Sequence, residues 1–281
     1  MGSMGGQSFS LTDKLTCLIT VKRSLKKQSL DMELSVKPAS VEDILPWRDM
    51  YRLEMNCQII HDSIHFRPGW TQEYFLFVRE VPVGYGSIAI AGPWKGNPTV
   101  YEFYVVPQHR SRVFDLFSAL LAASGAGMIE TQNNDTLLTV MLHAFAPSVT
   151  SESILFHDRS TTTHAPPGAV FRIATAADEL DISPDQRKWH GIVEVEGKVT
   201  ATGGILFHYN RPYGDIYMEV AEPFRRRGLG AYLVQELKRV CYEGGNVPGA
   251  RCNPKNTASR KTLQKAGFIP CGHILTGSVS R

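Results

Sequence analysis

Long apolar runs are missing from this 281-residue sequence. The longest candidate, residues 116–129, is mostly Ala, Gly and Ser and falls short of the roughly 20 residues that cross a bilayer. That argues against a membrane span. Cysteine is sparse: Cys17, Cys57, Cys241, Cys252 and Cys271 form no Cys-x-x-Cys pair, and their number is odd. Neither a disulfide framework nor a zinc knuckle is indicated, and reduced thiols point to a cytoplasmic protein. A secretory signal with an apolar centre and a small-residue cleavage site is absent as well. The net charge is only +3, too small to mark a nucleic-acid binder. Two phosphate-binding patterns are also absent. There is no Gly-x-x-x-x-Gly-Lys-Ser/Thr loop, and Gly228-Leu-Gly230 has Leu233 where a dinucleotide fingerprint needs its third glycine.

What is present is a globular composition, 43% hydrophobic and 20% charged, in a length that fits about two domains. Residues 1–31 stand apart. Met1 to Gly6 reads as an appended tag, and Lys14, Lys22, Arg23, Lys26 and Lys27 break any apolar run between Gln7 and Asp31. This stretch is expected to be a tag, leader or disordered segment, with the fold starting near Met32. From there two halves repeat one order of elements. In the first, Tyr74–Val78, Tyr85–Ile90 and Val100–Val106 read as strands, Val113–Ala123 as a helix and Thr136–Phe145 as a further strand. In the second, Gly191–Val195, Val199–Phe207 and Asp215–Val220 read as strands, Leu229–Tyr242 as a helix, residues 249–252 as a short strand, and a last helix runs up to Ala266. Ser160 to Gly168, rich in Thr and Pro, reads as a linker. The expected domains are therefore 32–159 and 169–281, joined by 160–168.

Charge is unevenly placed. From Glu222 to Lys265 ten Lys/Arg face three Asp/Glu, a local balance of +7, which leaves −4 for the rest. Within this segment a strand ends at Val220, three arginines stand at 225–227, and Gly228-Leu-Gly230 opens a helix. A helix start has free N–H groups and the positive end of the macrodipole. Glycines there let an anion approach the backbone, and arginines add charge-assisted hydrogen bonds. The pattern predicts a phosphate or pyrophosphate site. Aromatic stacking platforms are not interleaved with the arginines, which argues against single-stranded nucleic acid.

These residues resemble the GNAT superfamily of N-acetyltransferases. The family's Gln/Arg-x-x-Gly-x-Gly/Ala signature is matched by Arg225-x-x-Gly228-x-Gly230. A second stretch, Asn256-x-x-Ser259 and then Lys265-Ala-Gly267-Phe268, resembles the family's later helix. The resemblance covers residues 169–281. It implies a mixed α/β (α+β) fold, with a mostly antiparallel twisted sheet flanked by helices, here duplicated. It also implies that acetyl-CoA is the co-substrate, with no metal. Arg225, Arg226, Arg227, Gly228, Leu229, Gly230 and Ala231 would cradle its pyrophosphate. Met218 and Val220 would pair with the pantetheine arm in a gap between two strands, and the Met218 N–H would polarise the thioester carbonyl. Asn256 would touch the same arm and cap its helix, with Ser259 beside it.

The acceptor implied is a small-molecule or peptide primary amine that attacks the thioester directly, so Cys241 and Cys252 read as packing residues. A base must take the amine's proton. Glu219 is the first choice, then Asp215, with Glu194, His208 and Tyr217 behind them. The sequence departs from the family at Leu263, where many members place the tyrosine that protonates the leaving thiolate. That departure keeps two other readings open, a non-catalytic acyl-CoA-binding or regulatory protein and a transferase of a different acyl group. The first half echoes the plan, but Val113 stands where a glycine is needed, and a β-branched side chain would block a phosphate. This half reads as a degenerate GNAT-like domain. His61, Asp62 and His65 suggest metal-ligand spacing on a helix, yet no third ligand accompanies them and no metal is expected. Monomer and homodimer both fit.

Overall fold

The computed structural model describes residues 33–280, so the expectation for residues 1–31 lies outside the described residues. Among the described residues one sheet of twelve strands runs through both halves. The first half supplies β1 (Leu34–Ala39), α1 (Val41–Met55), β2 (Thr71–Val78), β3 (Val81–Ala89), β4 (Thr99–Val105), α2 (Val113–Ser124), β5 (Met128–Gln132), α3 (Thr136–Phe145) and β6 (Thr150–Asp158). The second supplies β7 (Ala169–Ile173), β8 (His190–Val195), β9 (Lys198–Leu206), β10 (Tyr213–Val220), α4 (Leu229–Glu243), β11 (Val247–Cys252), α5 (Thr257–Lys265) and β12 (Phe268–Ser278). The fold is thus mixed α/β, its sheet mostly antiparallel and its plan repeated.

The strand order is β1-β2-β3-β4-β5-β12-β6-β11-β10-β9-β8-β7. Two pairs, β4/β5 and β10/β11, are parallel. The halves exchange their last strands. β6 pairs with β11 of the second half, β12 pairs with β5 of the first, and the two lie side by side at the centre. Each half keeps its own apolar core. Leu116, Phe117 and Leu120 of α2 pack with Phe103 and Ile129, and Leu233, Val234 and Leu237 of α4 pack with Val193, Ile205 and Ile216. A small third cluster of Ile59, Leu155, Tyr209 and Ile274 joins the halves.

Two expectations are corrected. Thr136–Phe145 is helix α3, not a strand. Its apolar, partly β-branched run reads locally as extended, but Leu137, Leu138, Met141 and Leu142 are the buried face at helical spacing. Asp135 caps it, its Oδ1 accepting from the Leu138 N–H at 3.0 Å. The strand of this region is β5, just upstream. His61, Asp62 and His65 do not share a helix face, because the only helical turn here is a short 3-10 turn over Ser63–Phe66. His65 is buried between Glu73 (2.9 Å) and Glu102 (3.2 Å), and His61 faces Glu130 at 3.3 Å. Finally, α1 gave no signal that was read from the sequence. Pro46 lies inside it, and its Ser40/Asp43 capping box sets its start.

Candidate functional site

Beyond Ile216 the parallel pair β10/β11 comes apart. Its register runs from Tyr213↔Val247 to Ile216↔Ala250 and stops, while both strands continue. The divergence opens a cleft of about 240 Å³ through the sheet. On the helix side Ser259 and Leu263 of α5 line it. On the other side Asp215 and Tyr217 of β10 and Arg251 of β11 do, with Leu206 of β9 behind them. Met218 lies at the edge between the two.

The segment ahead of α4 has the backbone that binds an anion. Arg226 (φ 64°) and Gly228 (φ 83°) are both left-handed, and the residue between them is not. This alternation turns successive N–H groups into one concavity. Among the described residues the N–H groups of Arg226 to Ala231 have no protein acceptor, and the first that does is Tyr232, bonded to Gly228 O at 3.0 Å. The space over Gly228 is open, the nearest atoms being Lys265 Nζ at 3.6 Å and Pro166 Cγ at 3.9 Å from where a Cβ would stand. Gly230 serves a different need. A Cβ there would press Thr262 and Val220 at 3.1 and 3.2 Å, so glycine lets α4 close on α5 and β10. Arg225 turns back, its Nε donating to Val220 O at 3.0 Å. Asn256 caps α5, accepting from the Ser259 N–H at 2.9 Å. These N–H groups, the open space over Gly228 and the adjoining cleft fit a pyrophosphate with an extended arm.

The candidate bases separate sharply. Asp215, Tyr217 and Glu219 alternate onto one face of β10. Asp215 is 5% exposed and lines the cleft, whereas Glu219 is exposed and does not. Asp215 Oδ2 accepts from Arg251 Nε at 3.1 Å, and its Oδ1 is buried without a hydrogen bond among the described residues. Burial pushes its carboxyl up to about 6, against the pull of the Arg251 guanidinium. Tyr217 lays its ring over Gly204, where a Cβ would stand 2.8 Å from the hydroxyl, and meets His190 Nδ1 at 3.1 Å. Burial lowers the His190 imidazolium, favouring its neutral form. His208 is lowered by burial and by Arg251. Glu194 pairs with Arg172 at 2.9 Å, away from the cleft lining. Leu263 is buried, lines the cleft and carries no proton to give.

Arg251 and Tyr209 were not singled out from the sequence. Arg251 Nη2 bonds the Tyr209 hydroxyl, and its guanidinium lies over that ring at 4.9 Å. A signal existed: one arginine between Ala250 and Cys252, in a strand otherwise uncharged.

The first half shows the same plan without the opening. Arg110 Nε reaches Val105 O at 2.9 Å, as Arg225 reaches Val220 O. Yet the turn after β4 is a 3-10 helix from Pro107 to Arg112 with no left-handed residue, and Val113 is buried. The β4/β5 pair also diverges early, after Val100↔Ile129, but only about 20 Å³ remains there, bounded by Ile59, His61 and Tyr101. Gln132 holds that plug, accepting from Ile59 N at 3.2 Å and donating to Ile59 O at 2.6 Å. Beside it, Glu102 is sealed by Arg48 (2.8 and 2.9 Å), His65 and Tyr85.

The sheet thus opens beyond one parallel pair, with an N–H concavity ahead of the adjoining helix. Residues 157–268 match the Acetyltransferase (GNAT) family, and this match supports acyl transfer from acetyl-CoA. No curated protein matches the chain. Among solved structures it is similar to an acetyltransferase of the GNAT family from Colwellia psychrerythraea, at 17% identity and TM-score 0.69, covering 88% of this chain and 100% of that one. It is also similar to a tandem GNAT protein of the clavulanic acid biosynthesis pathway (14%, TM-score 0.59, 89% and 99% covered). A third is a GCN5-related N-acetyltransferase from Sphaerobacter thermophilus (12%, TM-score 0.56, 88% and 96% covered). At these identities the likeness is one of fold.

Proposed function

We propose that the protein moves an acetyl group from acetyl-CoA to a primary amine at a single site in its second half. Two observations carry this: the Arg226–Ala231 N–H groups ahead of α4 without a protein acceptor among the described residues, and a cleft beside β10 lined by Asp215. In this reading Arg225 to Ala231 hold the pyrophosphate, the edge of β10 at Met218 and Val220 aligns the pantetheine arm, and Asn256 and Ser259 border it. The amine approaches from the Asp215 side of the sheet.

An ammonium group is not a nucleophile, so Asp215 Oδ1 takes one proton from it. A carboxyl with a pKa near 6 is ionised at neutral pH and basic enough to do so. The nitrogen then attacks the thioester carbon, the new C–N bond forms, and the C–S bond breaks. The second proton leaves the nitrogen as the amide forms, and the thiolate is protonated through water, Leu263 offering no acid. The sum is one amide, one free thiol and one released proton. Asp215 thus replaces Glu219 as the first candidate base, because only Asp215 lines the cleft. The first half is a closed relative of this site with no second cradle.

Calorimetric titration with acetyl-CoA, paired with thiol release over an amine panel, tests the proposal. One site per chain and amine-dependent release are expected. Binding without release by any amine would favour the second reading, an acyl-CoA-binding protein, which the Leu263 side chain in the cleft supports.

A further inference from the structure

Resting on the transferase reading above, we infer that the acceptor carries a carboxylate close to its amine, as an α-amino acid does. Two groups with opposite charge and open valences stand side by side in the acceptor half of the cleft. Asp215 offers Oδ1, which is buried and without a hydrogen bond. Arg251 lines the same cleft with its side chain 28% exposed. Its Nε is committed to Asp215 and its Nη2 to Tyr209, and among the described residues its Nη1 has no acceptor.

A guanidinium held this way is fixed in its plane with one nitrogen free, suited to a charge-assisted hydrogen bond to a carboxylate oxygen. The partners already present fix its plane. Asp215 holds one side, and the Tyr209 ring lies beneath it at 4.9 Å. An acceptor whose ammonium meets Asp215 Oδ1 and whose carboxylate meets Arg251 Nη1 satisfies both, and its two opposite charges leave the pair balanced. A plain alkylamine satisfies only the first. An amine whose acid group is replaced by an amide leaves the guanidinium edge facing a weaker, neutral acceptor.

Other charges near Arg251 are already engaged or stand further off. Glu130 is held by His61 Nε2 at 3.3 Å and Trp94 Nε1 at 3.1 Å. Arg67 lies over the Trp70 ring at 4.6 Å. Glu152 is on β6 rather than in the cleft lining, and its carboxyl is raised by burial and by Glu130.

The test compares each of a set of α-amino acids with its carboxamide and with the matching alkylamine. Thiol release is measured, and so is calorimetric binding to the protein saturated with CoA. Preference for the acids by about tenfold or more, the worth of one charge-assisted hydrogen bond, is expected in at least one series. Arg251→Met should reduce that acid to the level of its amide while leaving acetyl-CoA affinity within about twofold. Should Arg251→Met fail to fold, Arg251→Lys keeps the charge and should still narrow the acid-to-amide ratio, because its ammonium loses the plane that Asp215 and Tyr209 fix. Amides or alkylamines that bind as well as acids would overturn the inference, as would an Arg251 variant that weakens acids and amides equally. The binding arm keeps the two ideas apart: absent thiol release with every amine counts against the transferase reading, whereas the binding preference alone decides the acceptor class.

Discussion

Arg251 holds one oxygen of Asp215 at 3.1 Å and leaves the other buried, without a hydrogen bond among the described residues. The base form of Asp215 is the ionised one, so activity should rise with pH through about 6. Asp215→Asn should lower kcat/KM about 10²–10⁴-fold and abolish that rising limb, with acetyl-CoA affinity unchanged. A pH–rate profile of both proteins checks this. An unaltered limb in the variant would assign the base elsewhere.

Gly228 and Gly245 sit at opposite ends of α4, both left-handed, at φ 83° and 74°. Valine at either position carries about 1–2 kcal/mol of backbone strain, so both variants should show a similar fall in Tm. Only Gly228→Val places a side chain over the N–H concavity. It should weaken acetyl-CoA binding by about tenfold or more, while Gly245→Val leaves it intact. Equal affinities in the two variants would remove the cradle from this turn.

The Arg48–Glu102 pair, each side chain 1% exposed, should dominate the stability of the first half. Burial opposes the Glu102 charge, yet Arg48 and His65 together hold its carboxyl far below the usual range. A lowered pKa stabilises the fold above the unfolded value and is lost as pH falls through the folded one. Arg48→Met strands a buried carboxylate and should cost about 3–5 kcal/mol in urea unfolding, and adding Glu102→Gln should recover part of that. A loss under about 1 kcal/mol for Arg48→Met would contradict this.

Asp135 behaves oppositely. Burial raises it to about 6 from 3.8 although Leu138 N–H and Tyr51 bond it. The folded state keeps its proton where the unfolded chain has lost it, so its stabilising contribution is full below about 4 and declines as pH rises to about 6. Asp135→Asn retains the helix cap and should flatten that decline. Thermal melts of both proteins from pH 4 to 7 measure it.

The left-handed turn ahead of α4 was legible because it is local. Arg225, Gly228 and Gly230 sit within one turn, and their chemistry comes from helix-start physics. The acceptor side was less so. Asp215 and Glu219 look alike in sequence, and only the position at which β10 and β11 part decides which one meets the cleft. Arg251 comes from a neighbouring strand far along the chain. Thr136–Phe145 misled because its local composition favours a strand, while the Asp135 cap and packing against β5 and β4 make it a helix. The exchange of β6 and β12 had no local signal, since both strands suit either neighbour.

That exchange has a consequence for the intact molecule. Each half borrows a strand from the other, so severing the chain within residues 160–168 would leave two fragments still laced together by the β5/β12, β12/β6 and β6/β11 ladders. Neither fragment made alone would be finished, because each would end in an open sheet edge prone to pairing with another copy.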